Sequence, residues 1–283
     1  MKLGVSAFAW TAKFERSHLR LVPLVKEMGF SGLEIAMFDP ADLAVNEIRR
    51  AFETSDLECT VCAILPPGIN PISPDAAVRR VSTQHLVRCI ETAAALGARL
   101  LGGPLYAPIG YLPEHRPTKD EWSWAVEAFQ SLGGVLDSCD MTLAIEPVNR
   151  SETFFVRTAK KASSLCEAIG HPRFGVTIDT FHANIEEWDI ADAATSTGSK
   201  LKHVHASEND RGPLGNGHVD FRRIVTALKK MEYNGYLMIE GFGYSPQEKN
   251  GPGALWADTS VSPEEIASTG ARFLNQVLNE AAL

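Results

Sequence analysis

No run of 18 consecutive apolar residues occurs in the 283-residue chain, which argues against a membrane-spanning helix. The opening residues Met1-Lys2-Leu3-Gly4-Val5 enter a strand-like run without a signal-peptide pattern, so a cytoplasmic location is expected. Positive charge is also scarce: 27 Lys and Arg stand against 35 Asp and Glu, a formal net charge of −8. An acidic surface repels polyanions and anionic lipid unless a basic patch overrides it. The basic doublets Arg49-Arg50, Arg79-Arg80, Lys160-Lys161, Arg222-Arg223 and Lys229-Lys230 fall in helical patterns and read as solvated faces, so no nucleic-acid or membrane partner is expected. Cysteines number five, an odd and scattered set that makes no disulfide framework. Cys59-Thr60-Val61-Cys62 has redox spacing, but it lies inside a strand-like run rather than at a helix start and reads as two half-buried thiols. Linkers, low-complexity tracts and composition shifts are absent as well, so one domain over 1–283 is expected.

What the chain does have is a repeat. Short apolar runs at 2–7, 32–36, 59–64, 100–104, 141–147, 174–179, 202–207 and 235–241 read as strands. Amphipathic stretches near 18–28, 43–54, 75–96, 119–138, 158–169, 190–196, 220–231 and 263–279 read as helices. Gly29 and Gly97 mark helix ends, while Ser73-Pro74-Asp75 and Ser262-Pro263-Glu264 mark starts. Eight strand–helix pairs can bury every strand edge by closing, so the fold class is α/β and the architecture a (β/α)8 TIM barrel, with an open doubly wound sheet as the alternative.

Alternate residues of a barrel strand face inside and outside. Leu143 and Ile145 oppose Ala144 and Glu146; Val176 and Ile178 oppose Thr177 and Asp179; Val204 and Ala206 oppose His203 and His205; Leu237 and Ile239 oppose Met238 and Glu240. If the aliphatic sets meet the helices, Glu146, Asp179, His205 and Glu240 converge at the carboxyl-terminal mouth, where barrels build their sites. Three carboxylates and an imidazole held together call for a divalent cation. Hard oxygen donors favour Mn²⁺ first, then Co²⁺ or Mg²⁺, over a zinc cluster.

A metal chelating a ketone and its neighbouring hydroxyl acidifies the intervening C–H and stabilises an enediolate. Glu146 and Glu240, from strands three steps apart, are placed to act as proton carriers on opposite faces of that carbon. Loop residues Asn149, Arg150, Glu152, His182, Asn184, Glu208, Asn209, Asp210 and Arg211 cluster beyond the same strand ends, and Arg211 can hold a developing oxyanion. Phe8, Trp10, Tyr106 and Tyr111 are candidates for an apolar wall, and the Gly- and Pro-rich stretch 242–261 with Trp256 for a lid.

Three segments resemble the ketose 3-epimerase family (D-tagatose, D-allulose (D-psicose) and L-ribulose 3-epimerases) among the xylose-isomerase-like barrels: Glu146-Pro-Val-Asn-Arg-Ser-Glu152, Ile178-Asp-Thr-Phe-His-Ala-Asn-Ile-Glu-Glu187 and His203-Val-His-Ala-Ser-Glu-Asn-Asp-Arg-Gly212. The resemblance implies metal-dependent epimerisation at C3 through a cis-enediolate. It puts Glu146, Asp179, His205 and Glu240 on the metal, with Glu146 and Glu240 as acid/base pair, and Glu152, His182 and Arg211 on the substrate. It also implies one divalent ion per chain and a homodimer or homotetramer. Ser151 departs from the family's aromatic residue at that position, and Ala206-Ser207-Glu208 from its Thr/Ile-Gly-Glu run. Such changes leave the preferred ketose open, together with aldose–ketose isomerisation or inosose-type dehydration on the same barrel. A DNA-directed endonuclease relative is the third reading; it would need several zinc ions and a basic groove, and the ligand set lacks the extra histidines of a multi-zinc centre.

Overall fold

Runs of Val, Ile and Leu that read as strands do become the staves of a closed ring in the computed structural model, which describes residues 1–243 and 261–281. The elements are β1 (Lys2–Ser6), α1 (Leu21–Glu27), β2 (Gly32–Met37), α2 (Val45–Ser55), β3 (Glu58–Ala63), α3 (Ala76–Ala95), β4 (Leu100–Gly103), α4 (Lys119–Gln130), α5 (Gly133–Ser138), β5 (Thr142–Ile145), α6 (Ala159–Ile169), β6 (Phe174–Asp179), α7 (Thr180–Glu186), α8 (Ile190–Thr197), β7 (Leu201–Ala206), α9 (Phe221–Lys230), β8 (Tyr236–Ile239) and α10 (Pro263–Glu280). All strands run parallel in chain order and β8 pairs with β1, so the expected (β/α)8 barrel is formed and no strand edge is left open.

The alternation predicted from sequence sorts the side chains. Leu33, Ile35, Val61, Leu101, Leu143, Ile145, Val176, Ile178, Val204, Leu237 and Ile239 join the buried cluster that includes helix residues such as Val25, Ile48, Leu86, Phe129, Leu165, Leu228 and Leu274. Each such side chain contributes about 1.5–3 kcal/mol by leaving water. On α9, Phe221, Ile224, Val225 and Leu228 are buried. Its basic doublets lie on the other face, where Arg222 pairs with Glu280 and Arg223 with Asp189. Cys59 and Cys62, three apart on β3, project to opposite sides of the sheet and stay free thiols.

Several local expectations change. The single helix expected at 119–138 is two, α4 and α5, separated at Ser131 and Leu132; the Gly133-Gly134 pair just after the break is poor in helix propensity. Asp75 rather than Ser73 caps α3, accepting from Ala77 N at 2.7 Å. A short helix, α7, follows β6 directly because Asp179 ends the strand and caps the helix at once. Ser262 caps α10 with Pro263 in its first turn, and Gly29 and Gly97 take positive φ after their helices, as read from sequence. Gly103, at the end of β4, has φ +127 and lies so close to β3 that a Cβ there would sit 2.1 Å from Ala63 O. No described helix is long and apolar enough to cross a membrane. Within the 242–261 stretch read as a lid, residues 244–260, Trp256 among them, lie outside the described residues.

Candidate active site

Four strand ends deliver the residues singled out by parity. Asp179 closes β6, and its Oδ1 accepts from Phe181 N at 2.9 Å. His205 is the penultimate residue of β7. Glu146 and Glu240 stand one residue past β5 and β8, held there by N–H bonds to Gly103 O (3.1 Å) and Ala206 O (3.0 Å). All four side chains are buried in the barrel mouth.

Glu146, Asp179 and His205 bring one ligand atom each to within 4.8 Å of one another. His205 Nδ1 lies 3.3 Å from Glu146 Oε1 and 3.6 Å from Glu240 Oε2. Glu240 is not among these three, but Arg211 bridges it to Asp179: its Nη1 sits 2.6 Å from Glu240 Oε2 and 2.7 Å from Asp179 Oδ2. Burial resists ionisation of Asp179, but the Arg211 guanidinium with His182 and His205 overrides it and holds the carboxyl below the usual range. In Glu240 burial wins: together with the Asp179 and Glu146 charges it raises the carboxyl, against Arg211 and His205. His205 is pushed well above the usual imidazole value, because the Glu34, Glu240 and Glu146 carboxylates outweigh its desolvation.

Glu34, absent from the sequence-derived set, is fully buried on β2. Its Oε1 lies 2.9 Å from His205 Nε2, its Oε2 2.9 Å from His203 Nε2, and Thr60 Oγ1 donates to Oε2 at 3.2 Å. Its carboxyl is far below the ordinary range although desolvation opposes this, because the two imidazoles prevail. The signal was available: Leu33 and Ile35 flank Glu34 as Val204 and Ala206 flank His205. Cys62 faces the same interior, near Glu34 and His205. Burial first, then the surrounding carboxylates, push its thiol far up, so it is no nucleophile.

The expected substrate residues adjoin this cluster. His182 Nδ1 faces two N–H donors of Asn149, the backbone N at 3.3 Å and Nδ2 at 2.9 Å, and Arg211 Nη2 lies 3.3 Å from Nε2. Nε2 lies 3.5 Å from Asp179 Oδ2. Asn149 Nδ2 also donates to Glu152 Oε1 at 2.9 Å, so one buried amide positions both Glu152 and His182. Arg211, at φ +62, lays its guanidinium between the Phe181 and Phe242 rings at 4.2 and 4.9 Å and donates to Ser207 Oγ at 2.7 Å. Phe8 packs edge-on against Phe242, 5.8 Å between centroids. Tyr106 is core rather than wall: it is wholly buried and its hydroxyl donates to Val156 O. Trp10 donates to Glu264, and Tyr111 packs edge-on against Phe154. Glu208 is also fully buried, but it accepts from Gly215 N and Val219 N and so shapes the loop after β7 instead of facing the cluster.

The donor set fits a divalent cation. Glu34, Glu146, Asp179 and Glu240 bury four carboxyl groups around His205 and one guanidinium, a donor set rich in oxygen and in negative charge that a cation would offset. Oxygen-rich donors with one imidazole nitrogen suit Mn²⁺, Co²⁺ or Mg²⁺.

Comparison with known proteins agrees with this architecture. The family model described as Xylose isomerase-like TIM barrel matches residues 22–277. The "Probable ketose 3-epimerase" of Synechocystis sp. is 32% identical over 98% of this chain and 96% of its own. The L-ribulose 3-epimerase of Mesorhizobium japonicum is 29% identical over 99% and 95%. Among solved structures, a D-allulose 3-epimerase from Methylomonas sp. superposes with a TM-score of 0.92 at 26% identity, covering 98% of both chains. The chain belongs to the xylose isomerase-like TIM barrel family and, within it, to the ketose 3-epimerases.

Proposed function

We propose that the protein epimerises a free ketose at C3, with Glu146 and Glu240 as the acid/base pair. The observation that carries this reading is that these two buried carboxylates approach the same imidazole edge from different strands, 3.3 and 3.6 Å from His205 Nδ1. Glu146, Asp179, His205 and Glu240 are the residues to hold a metal, Mn²⁺ by donor type with Co²⁺ or Mg²⁺ next. When bound, the ion supplies positive charge that acidifies the C–H between a ketone and its neighbouring hydroxyl. Glu240 then moves a proton on one face of C3 and Glu146 on the other. Arg211 directs N–H groups at the ketone oxygen, and Glu152 and His182 hold the adjacent hydroxyls. Burial of the cluster keeps water from competing for these bonds.

A small sugar without phosphate is supported by the Methylomonas relative, which has been solved in complex with D-allulose. The family resemblance adds a homodimer or homotetramer, read by light scattering, and a cytoplasmic location.

The test is a panel of ketohexoses and ketopentoses incubated with the Mn²⁺-loaded protein in D₂O and followed by NMR. Deuterium at C3 together with the C3 epimer is expected. An aldose would assign isomerisation instead, and a panel with no exchange at C3 would sink the proposal.

A further inference from the structure

We infer that Glu34 is a positioning residue that decides which nitrogen of His205 is offered to a metal. The inference rests on the metal reading given above and adds a residue to it. Glu34 sits in mid-strand on β2, facing the interior with no solvent exposure. Its two oxygens are divided between two imidazoles, Oε1 to His205 Nε2 and Oε2 to His203 Nε2, each at 2.9 Å. A carboxylate only accepts, so the nitrogens facing it carry the hydrogens. His205 Nε2 therefore keeps its hydrogen toward Glu34, whereas Nδ1, which faces Glu146 Oε1 at 3.3 Å and without a cation carries a hydrogen as well, is the edge whose hydrogen a cation would replace. That edge is the one facing Glu146 and Glu240. Around the ring β2 and β7 are three places apart, so the contact spans the barrel interior rather than a strand pair.

A purely structural role would not need this chemistry. Burying a carboxylate is costly, and an apolar side chain of equal volume often serves a core as well or better. Thr60 Oγ1 adds a further donor to Oε2, leaving Oε1 turned to His205. An imidazole held by a carboxylate on one nitrogen is fixed in ring orientation and made a stronger donor at the other.

Glu34→Gln keeps the volume but offers one acceptor and one N–H₂ group where there were two acceptors. His203 can answer by carrying its proton on Nδ1 and accepting from the new amide at Nε2, so the variant has a route to a folded barrel. Two measurements test the inference, neither of which uses turnover. In ¹⁵N-histidine NMR of the Mg²⁺-loaded wild type, His205 should show a proton on Nε2 and none on Nδ1. In Mn²⁺ titrations read by EPR, Glu34→Gln should bind about 10–100-fold more weakly than wild type, while circular dichroism shows the fold retained. A proton on Nδ1, or Mn²⁺ affinity in a folded variant within about threefold of wild type, overturns the inference. A protein that yields both expected results but exchanges no ketose proton keeps the inference and loses the proposed function.

Discussion

The Ser207 hydroxyl accepts from Arg211 Nη1 at 2.7 Å, the same nitrogen that meets Glu240 at 2.6 Å. One small side chain thus helps set where the guanidinium stands against the carboxylate proposed to carry a proton. The flanking rings of Phe181 and Phe242 fix its plane, but neither can fix its slide along that plane. Hydrogen bonds to charged groups contribute roughly 1.5–3 kcal/mol, part of which water restores when one is lost. Ser207→Gly should therefore lower kcat/KM for the best ketose by about tenfold while the melting temperature stays nearly unchanged. Unaltered kinetics would mean that the two rings and the ion pairs to Asp179 and Glu240 position Arg211 without Ser207.

Glu240→Gln separates holding a sugar from reacting with it. The amide keeps the side chain's size and can still accept from Arg211, but it cannot take up a proton. Turnover should fall by about 10²–10⁴ while calorimetric binding of the ketose to the metal-loaded protein persists. A variant that turns over normally would remove Glu240 from the acid/base pair.

Metal affinity should depend on pH with a definite sign. In the metal-free protein burial raises the Glu240 carboxyl to about 8. A carboxyl raised in the fold from about 4.3 when unfolded favours the protonated folded state, so this group's contribution to stability is full at low pH and is lost as pH climbs toward 8. A cation bound by Glu240 must displace that proton. Displacing that proton should add up to about a tenfold rise in Mn²⁺ affinity per pH unit below about 8, beyond the rise that comes from the proton His205 must also release. In Glu240→Gln the slope should flatten, and an equal slope in both proteins would assign the proton to another group.

Gly103→Ala tests the seat of Glu146. The substituted Cβ would lie 2.1 Å from a backbone oxygen, at a φ of +127 that L residues rarely adopt. A loss of roughly 3–5 kcal/mol in chemical denaturation is expected. Because Gly103 O anchors the Glu146 backbone, metal affinity should fall in any protein that still folds.

Much of this was written in the chain because a strand has a period of two. Once Leu143 and Ile145, or Val176 and Ile178, are assigned to the helices, Glu146 and Asp179 have nowhere to point but inward. The same rule applied to Leu33-Glu34-Ile35 gives Glu34, but that residue stands in mid-strand rather than at a strand end, where sites are looked for first. Ser207 and Asn149 lie in loops, which have no period, so their grip on Arg211, Glu152 and His182 depends on contacts that only the fold creates. The split between α4 and α5 is hidden in the sequence for a different reason: the apolar pattern runs on through Gly133-Gly134 although the backbone there favours no helix.

The span from Glu34 to His205 has a mechanical consequence. Every proposed metal ligand lies between β5 and β8, yet the imidazole is braced from β2, on the other half of the ring. A cation seated on His205 would thus pull on both halves of the barrel together. Its binding energy would be shared by the whole ring, so that metal-loaded protein should melt later in one concerted step rather than gain stiffness only around the mouth.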